Sequence, residues 1–101
     1  MDIQKEIIPE FKQLTFIKKI ILFGSRVDNP GKEKGDVDLC FVIEETGNTD
    51  IIFEKISKFI LEQKILIHPI ILSQTEFKKK MKIQIYKKSI LKKGKILYSK
   101  K

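Results

Sequence analysis

Two polar motifs, each attached to a short apolar segment, carry the residues that could do chemistry. Gly24 and Ser25 directly follow the apolar run at residues 20–23. Asp36 and Asp38 begin a second apolar run, and Asp36 lies twelve positions after Gly24. A glycine at the end of a buried strand lets a phosphate approach the backbone closely, and a serine beside it adds a hydroxyl and an N–H donor. The first motif therefore predicts a phosphate-binding turn.

The two aspartates predict a site for a divalent metal. Alternate residues of a strand point to the same face, so Asp36 and Asp38 are expected to present their carboxylates together. Mg²⁺ binds one or two protein carboxylates and completes its shell with water and phosphate oxygens. Metals held in this way stabilise the attacking and leaving oxygens of an in-line displacement. A phosphate site beside a metal site indicates phosphoryl or nucleotidyl transfer.

The elements that must position these motifs follow from the hydrophobic pattern. Apolar spacings of three and four predict a helix over residues 3–16, and β-branched runs predict strands at 20–23, 36–43 and 65–72. A helix is expected at 51–63, and another from the capping-box sequence at 73–76 to a C-cap at Gly94, before an extended end at 96–98. Pro69 predicts that the third strand lies at a sheet edge or pairs irregularly. We expect one α/β domain over residues 1–101, with a small mixed sheet flanked by helices.

Composition narrows the class of protein. With 101 residues and 42% hydrophobic residues, the chain can build one core of ordinary size. The apolar run at 20–23 is far shorter than the roughly 20 residues that cross a bilayer, so no membrane association is expected. Cys40 is the single cysteine and cannot form an internal disulfide, which suits a reducing compartment. We expect a cytoplasmic protein in which Cys40 is a buried strand residue.

The positive charge is concentrated at the C-terminus. Residues 74–101 contain eleven lysines and one acidic residue, Glu76, whereas the rest of the chain is slightly acidic. Such a block can attract an acidic protein, a nucleic acid or a phosphorylated ligand. Apolar residues are interleaved with the lysines, which favours an acidic partner protein over nucleic acid: Ile90, Leu91, Ile96, Leu97 and Tyr98.

The two motifs together resemble a known family signature. Gly24-Ser25-Arg26, followed by Asp36-Val37-Asp38-Leu39, is similar to the GSR…DxDL pattern of the minimal nucleotidyltransferases, which are small prokaryotic members of the DNA polymerase beta superfamily. The ending at residues 89–98 is also similar to that family's terminal segment. The resemblance spans nearly the whole chain and implies the nucleotidyltransferase fold.

The resemblance also implies a role for each motif residue. Gly24 and Ser25 would bind the triphosphate of ATP or another nucleoside triphosphate, and Arg26 would contact phosphate. Asp36 and Asp38 would bind Mg²⁺ or Mn²⁺. Transfer of AMP to a hydroxyl is the implied reaction, and free-standing members of the family resemble the antitoxin half of a pair with a HEPN-domain toxin.

One departure from the family pattern leaves an alternative open. Active relatives carry a third carboxylate on the strand after the central helix, and His68 aligns with that position here. Neutral imidazole could replace it as a metal ligand or as a general base. Alternatively, His68 is structural and the chain is a catalytically degenerate module that neutralises its partner by contact alone.

Overall fold

The computed structural model describes residues 3–24 and 37–100. The strands are β1 (Ile17–Phe23), β2 (Val37–Ile43), β3 (Ile67–Ser73) and β4 (Lys95–Ser99). The helices are α1 (Ile3–Glu6), α2 (Ile8–Lys12), α3 (Thr49–Gln63), α4 (Gln74–Lys80) and α5 (Gln84–Tyr86), and a π-helix spans Lys87–Lys92. None of the helices in the described ranges is long and apolar enough to cross a membrane.

The four strands form one mixed sheet in the order β3-β2-β1-β4. β1 pairs antiparallel with both β2 and β4, while β2 and β3 run parallel. Parallel neighbours need a long crossover connection, and α3 supplies it. Asn48 caps α3 by accepting a hydrogen bond from the Asp50 N–H at 3.0 Å. The predicted α/β fold with a small mixed sheet is confirmed.

The main core lies between one face of the sheet and helices α1, α2 and α3. Alternate residues of β2 supply its centre, and Phe11 of α2 packs on Phe41 with ring centroids 4.8 Å apart. The helix predicted over 3–16, with a break at Pro9, is wrong in its extent, because the structure has two short helices and the second ends at Lys12. Pro9 explains the break, since proline donates no N–H and its ring crowds the preceding turn.

β1 begins earlier than the apolar pattern predicts. The expected strand started at residue 20, but β1 begins at Ile17, which is fully buried. The two lysines between them belong to the strand because β1 pairs on both sides. Lys18 reaches Glu44 at 2.9 Å across the end of the sheet. Pairing of β1 with two neighbouring strands therefore extends the strand through two charged residues that the hydrophobic pattern excludes.

The second face of the sheet is covered by the C-terminal helical segment. Met81 and Ile90 pack against Ile21, Cys40 and Val42 of the sheet in a second apolar cluster. The capping box is confirmed, because Ser73 accepts from the Glu76 N–H at 3.1 Å and Glu76 accepts from the Ser73 N–H at 3.0 Å.

The predicted continuous helix from this box towards Gly94 is wrong. α4 ends at Lys80, and the chain leaves helical geometry at Ile83 (φ −90°, ψ 121°) before α5 begins. The break lets Met81 and Ile90 both pack against the sheet, while Ile85 between them points outwards. Ile85 remains 77% exposed.

Both sheet edges have a clear origin in the sequence. The Val37 N–H donates to the Leu66 carbonyl at 2.9 Å, so the even-numbered residues of β3 turn their peptide groups towards β2. Pro69 therefore faces the open edge, where its missing N–H costs no ladder hydrogen bond. The edge position predicted from Pro69 is confirmed. The extended C-terminal end forms β4 at the opposite edge.

Candidate functional site

Gly24 turns the chain directly beside the carboxylate of Asp38. It follows the last residue of β1 and has φ +78°, in the left-handed region that favours glycine. A Cβ added at Gly24 would collide with Oδ2 of Asp38 and would lie 3.1 Å from its Cγ. Any other residue here would need both a strained backbone and a displaced Asp38. Glycine is thus what allows the backbone of the turn to lie against this carboxylate.

Asp38 occupies the centre of a row of three side chains on the second face of the sheet. It pairs with Phe23 of β1 in the antiparallel ladder and with His68 of β3 in the parallel ladder. Paired residues of neighbouring strands project to the same face. Asp38 is half-buried, and His68 is exposed at the sheet edge. The row therefore lies at an accessible end of the sheet, next to Gly24.

Three of the six predicted site residues are brought together in this way. Gly24, Asp38 and His68 share one end of the sheet although they come from three separate parts of the chain. Ser25, Arg26 and Asp36 lie outside the described residues, and their roles stay predictions.

The residues at this end fit a divalent metal by their chemistry. Asp38 offers hard carboxylate oxygens, the donor type that Mg²⁺ takes from proteins, beside the turn that is predicted to bind phosphate. Within residues 3–24 and 37–100, no three His, Cys, Asp or Glu side chains form a group that could hold a metal ion. The predicted site therefore depends on Asp36 joining Asp38.

Cys40 lies two residues beyond Asp38 on the same face but does not belong to the site. It is fully buried, and burial raises the pKa of its thiol to about 12, with the positive charge of Lys80 acting in the opposite direction. Because the thiolate is the metal-binding and nucleophilic form, this neutral thiol is a packing residue. The prediction of a buried strand cysteine is confirmed.

Lys80 is a feature of this face that the sequence alone did not single out. It is the last residue of α4, it lies close enough to Cys40 to influence the thiol, and its Nζ is 4.6 Å from the centroid of the Tyr86 ring. The only signal in the sequence was its membership of the lysine-rich segment. The covering layer thus brings positive charge to the face that carries Asp38.

A different contact fixes the opposite end of the sheet. Glu45 accepts a hydrogen bond from the Thr75 N–H at 3.0 Å, at the start of α4. Hydrogen bonding to Thr75 lowers the pKa of Glu45, whereas the hydrogen bond and charge of Lys18 lower that of Glu44. These carboxylates hold α4 and β1 in place and lie away from the Asp38 row.

Comparison with known proteins assigns the fold to a family. The family model described as "Polymerase beta, Nucleotidyltransferase" matches residues 5–101. The chain belongs to this nucleotidyltransferase family. It is also 32% identical over 82 residues to "Putative protein adenylyltransferase MJ0604" of Methanocaldococcus jannaschii, covering 81% of this chain and 79% of the relative. The expected family is confirmed, and the chain is a nucleotidyltransferase.

Solved structures agree on the nucleotidyltransferase fold. A toxin–antitoxin structure with AMP-PNP superposes with a TM-score of 0.66 at 15% identity, covering 97% of this chain and 74% of the other. An MntA–HpeT toxin–antitoxin structure with two aspartate-to-glutamate substitutions gives a TM-score of 0.65 at 13% identity and the same coverage. At these identities the likeness establishes the fold.

Proposed function

We propose that this nucleotidyltransferase transfers AMP from ATP to a hydroxyl of a partner protein, in a reaction that depends on Mg²⁺ or Mn²⁺. The observation that carries the proposal is the packing of Gly24 against the Asp38 carboxylate. It supports a phosphate-binding turn and a metal ligand within one small site. The curated relative's name, a protein adenylyltransferase, supports AMP as the transferred group and protein as the acceptor.

Each site residue has a defined task in this proposal. The backbone at Gly24, with Ser25 and Arg26, would hold the triphosphate. Asp36 and Asp38 would hold the metal, which supplies positive charge to the phosphate oxygens when bound. Asp38 is held in place on β2 between two paired strands, so its carboxylate is presented in a fixed position.

In this proposal His68 accepts the proton of the acceptor hydroxyl. In the proposed step the acceptor oxygen forms a bond to the α-phosphorus, the bond from that phosphorus to the bridging oxygen breaks, and pyrophosphate leaves. The hydroxyl proton passes to the imidazole of His68. Its exposure at the sheet edge, beside Asp38, supports access by a bulky acceptor. General base catalysis of this kind contributes about 10²–10⁴-fold.

The partner in this proposal is a toxin. The structural neighbours are toxin–antitoxin pairs, one of them with a nucleotide analogue, and this supports an antitoxin role for the chain. A HEPN-type toxin as the specific partner rests on the family resemblance of the Gly24 and Asp36 motifs. Both proteins would meet in the cytoplasm, where ATP is available.

A second candidate is a binding module that neutralises its partner without transfer. It is favoured by the family resemblance, which aligns His68 with the position where active relatives carry a carboxylate. The same site would then bind nucleotide without turning it over. The two candidates differ in whether AMP is transferred to the partner protein.

The deciding experiment combines the purified chain, ATP labelled at the α-phosphate, and the purified protein encoded by the adjacent reading frame. We expect label on the partner with Mg²⁺ or Mn²⁺, and none with chelator or with the Asp38→Asn variant. Partner binding without any labelling, at saturating ATP and either metal, would select the binding module. Neither binding nor labelling would reject both candidates.

A further inference from the structure

The segment from just before α5 into the start of the π-helix exposes apolar side chains in a basic setting. We call residues 82–88 the basic–apolar surface. Ile83, Ile85 and Tyr86 are 51%, 77% and 37% exposed. They stand between Met81 and Ile90, which are both buried against the second face of the sheet. The segment is therefore fixed to the fold at both ends while its apolar side chains face outwards.

The charge around these side chains is positive. Lys82, Lys87 and Lys88 are exposed within the surface, and no acidic residue follows Glu76 in the chain. Lys80 joins the surface through its 4.6 Å contact with the ring of Tyr86. An occupant of this surface must therefore supply negative charge as well as apolar atoms.

The apolar part distinguishes a protein from a nucleic acid. Covering Ile83 and Ile85 stabilises a complex only when other apolar atoms cover them, and a phosphate backbone does not provide such atoms. Single-stranded nucleic acids are held by aromatic stacking platforms, and here Tyr86 is the one aromatic residue and already carries the Lys80 ammonium. Acidic protein segments with apolar anchors match both requirements.

We infer that the basic–apolar surface docks an acidic amphipathic segment of the acceptor protein. This inference rests on the proposed transfer to a protein. It shifts the interface from the five residues expected from the sequence, because Ile90 is buried and Leu97 and Tyr98 pack against the main core, while the side chain of Leu91 lies outside the described part of the structure. Of that set, Ile96 is 52% exposed, on the edge strand β4.

The position of the surface suits delivery of an acceptor. α4 starts at the end of β3, far from His68, and Met81, which follows the last residue of α4, packs in the same apolar cluster as Cys40 in the middle of the second face. Cys40 is followed along the same face by Asp38 and its neighbour His68. A segment docked on the basic–apolar surface therefore lies on the same side of the sheet as the candidate site.

The first test uses defined probes and no nucleotide. The full chain is titrated against a labelled helical peptide with glutamates on one face and leucines on the other, against its leucine-to-serine counterpart, and against random duplex DNA. We expect the glutamate–leucine peptide to bind about tenfold or more tightly than the counterpart, as expected for buried apolar anchors. The double variant Ile83→Ser, Ile85→Ser should lose this difference.

Matched variants distinguish binding at the basic–apolar surface from nonspecific binding by other exposed apolar side chains. Phe53→Ser with Leu61→Ser removes exposed apolar side chains from α3, which are 50% and 78% exposed, and should leave peptide binding unchanged. Lys82→Glu with Lys87→Glu should weaken binding and reduce its salt dependence. Equal losses in the α3 variant, equal binding of both peptides, or tighter binding of DNA with a log-linear salt slope would each overturn the inference.

The second test uses the transfer reaction itself. Ile83→Ser with Ile85→Ser should raise the KM for the acceptor protein about tenfold while leaving ATP affinity unchanged. An unchanged KM in an active enzyme would contradict docking at this surface. Absence of transfer in the wild type would instead count against the proposed function, and the peptide titration would still decide the docking.

Discussion

Asp38 and His68 are register partners on parallel neighbouring strands, so their side chains lie side by side on one face of the sheet. Thirty positions separate them in the chain. The pairing places an imidazole beside the carboxylate that is predicted to bind metal. The predicted role of His68, as a replacement for the third carboxylate, can therefore be tested by substitution.

Replacement of His68 should change the transfer rate and the metal preference. If His68 also ligates the metal through one ring nitrogen, Mn²⁺ should support faster transfer than Mg²⁺ in the wild type, because Mg²⁺ prefers oxygen ligands; equal rates would leave His68 the base role alone. His68→Asp should raise the Mg²⁺-supported rate, and His68→Ala should lower transfer by about 10²-fold or more. The measurement is labelled AMP transfer to the partner with each metal. Unchanged Mg²⁺-supported transfer in His68→Ala would show that the proton leaves by another route.

Removal of the aspartates should abolish the metal dependence of nucleotide binding. We expect calorimetry to give tighter ATP binding with Mg²⁺ than with chelator in the wild type, and equal binding in Asp36→Asn with Asp38→Asn. Asp50→Asn, at the first turn of α3, is the control and should retain the difference. Equal ATP affinity with and without metal in the wild type would defeat the metal assignment.

Gly24→Ala should damage the site more than the fold. The left-handed backbone costs a non-glycine residue about 1–2 kcal/mol, and the new Cβ must push Asp38 aside. We expect a lower free energy of unfolding by urea denaturation, together with weaker ATP binding by calorimetry. Gly47→Ala is the comparison, because its Cβ would meet Ile43 and Phe16 at 2.9 Å, far from Asp38. Equal loss of ATP affinity in both variants would mean that Gly24 acts only through stability.

Stability should fall in acid partly through Glu44 and Glu45. Their pKa values lie below the ordinary 4.5 because Lys18 and Thr75 hydrogen-bond to the ionised forms. A lowered folded-state pKa stabilises the fold above pH 4.5, and this contribution is lost as the pH falls through the folded-state pKa. Urea denaturation between neutral pH and about pH 3 should show a shallower acid loss in Glu45→Gln, and a still shallower one in the double variant with Glu44→Gln. An identical pH dependence in all three proteins would contradict this account.

Features that depend on near neighbours in the chain could be predicted from the sequence. The capping box of Ser73 and Glu76 joins residues three positions apart, and the edge position of β3 follows from the missing N–H of Pro69. The family signature likewise lies in two short motifs, because the turn at Gly24 and the strand face at Asp38 are both local features of the backbone. Such properties are set by local geometry and by the chemistry of single residues.

Features that depend on which faces are buried were decided by the tertiary structure. The sequence pattern does not distinguish Ile85 from Ile90, since both are apolar residues among lysines, yet one is 77% exposed and the other 1%. The choice depends on where α4 stops and on the space left over the second face of the sheet. The pairing of Asp38 with His68 has the same origin, because strand register is fixed by burying alternate residues of β2 and β3 together. No local pattern around either residue carries that information.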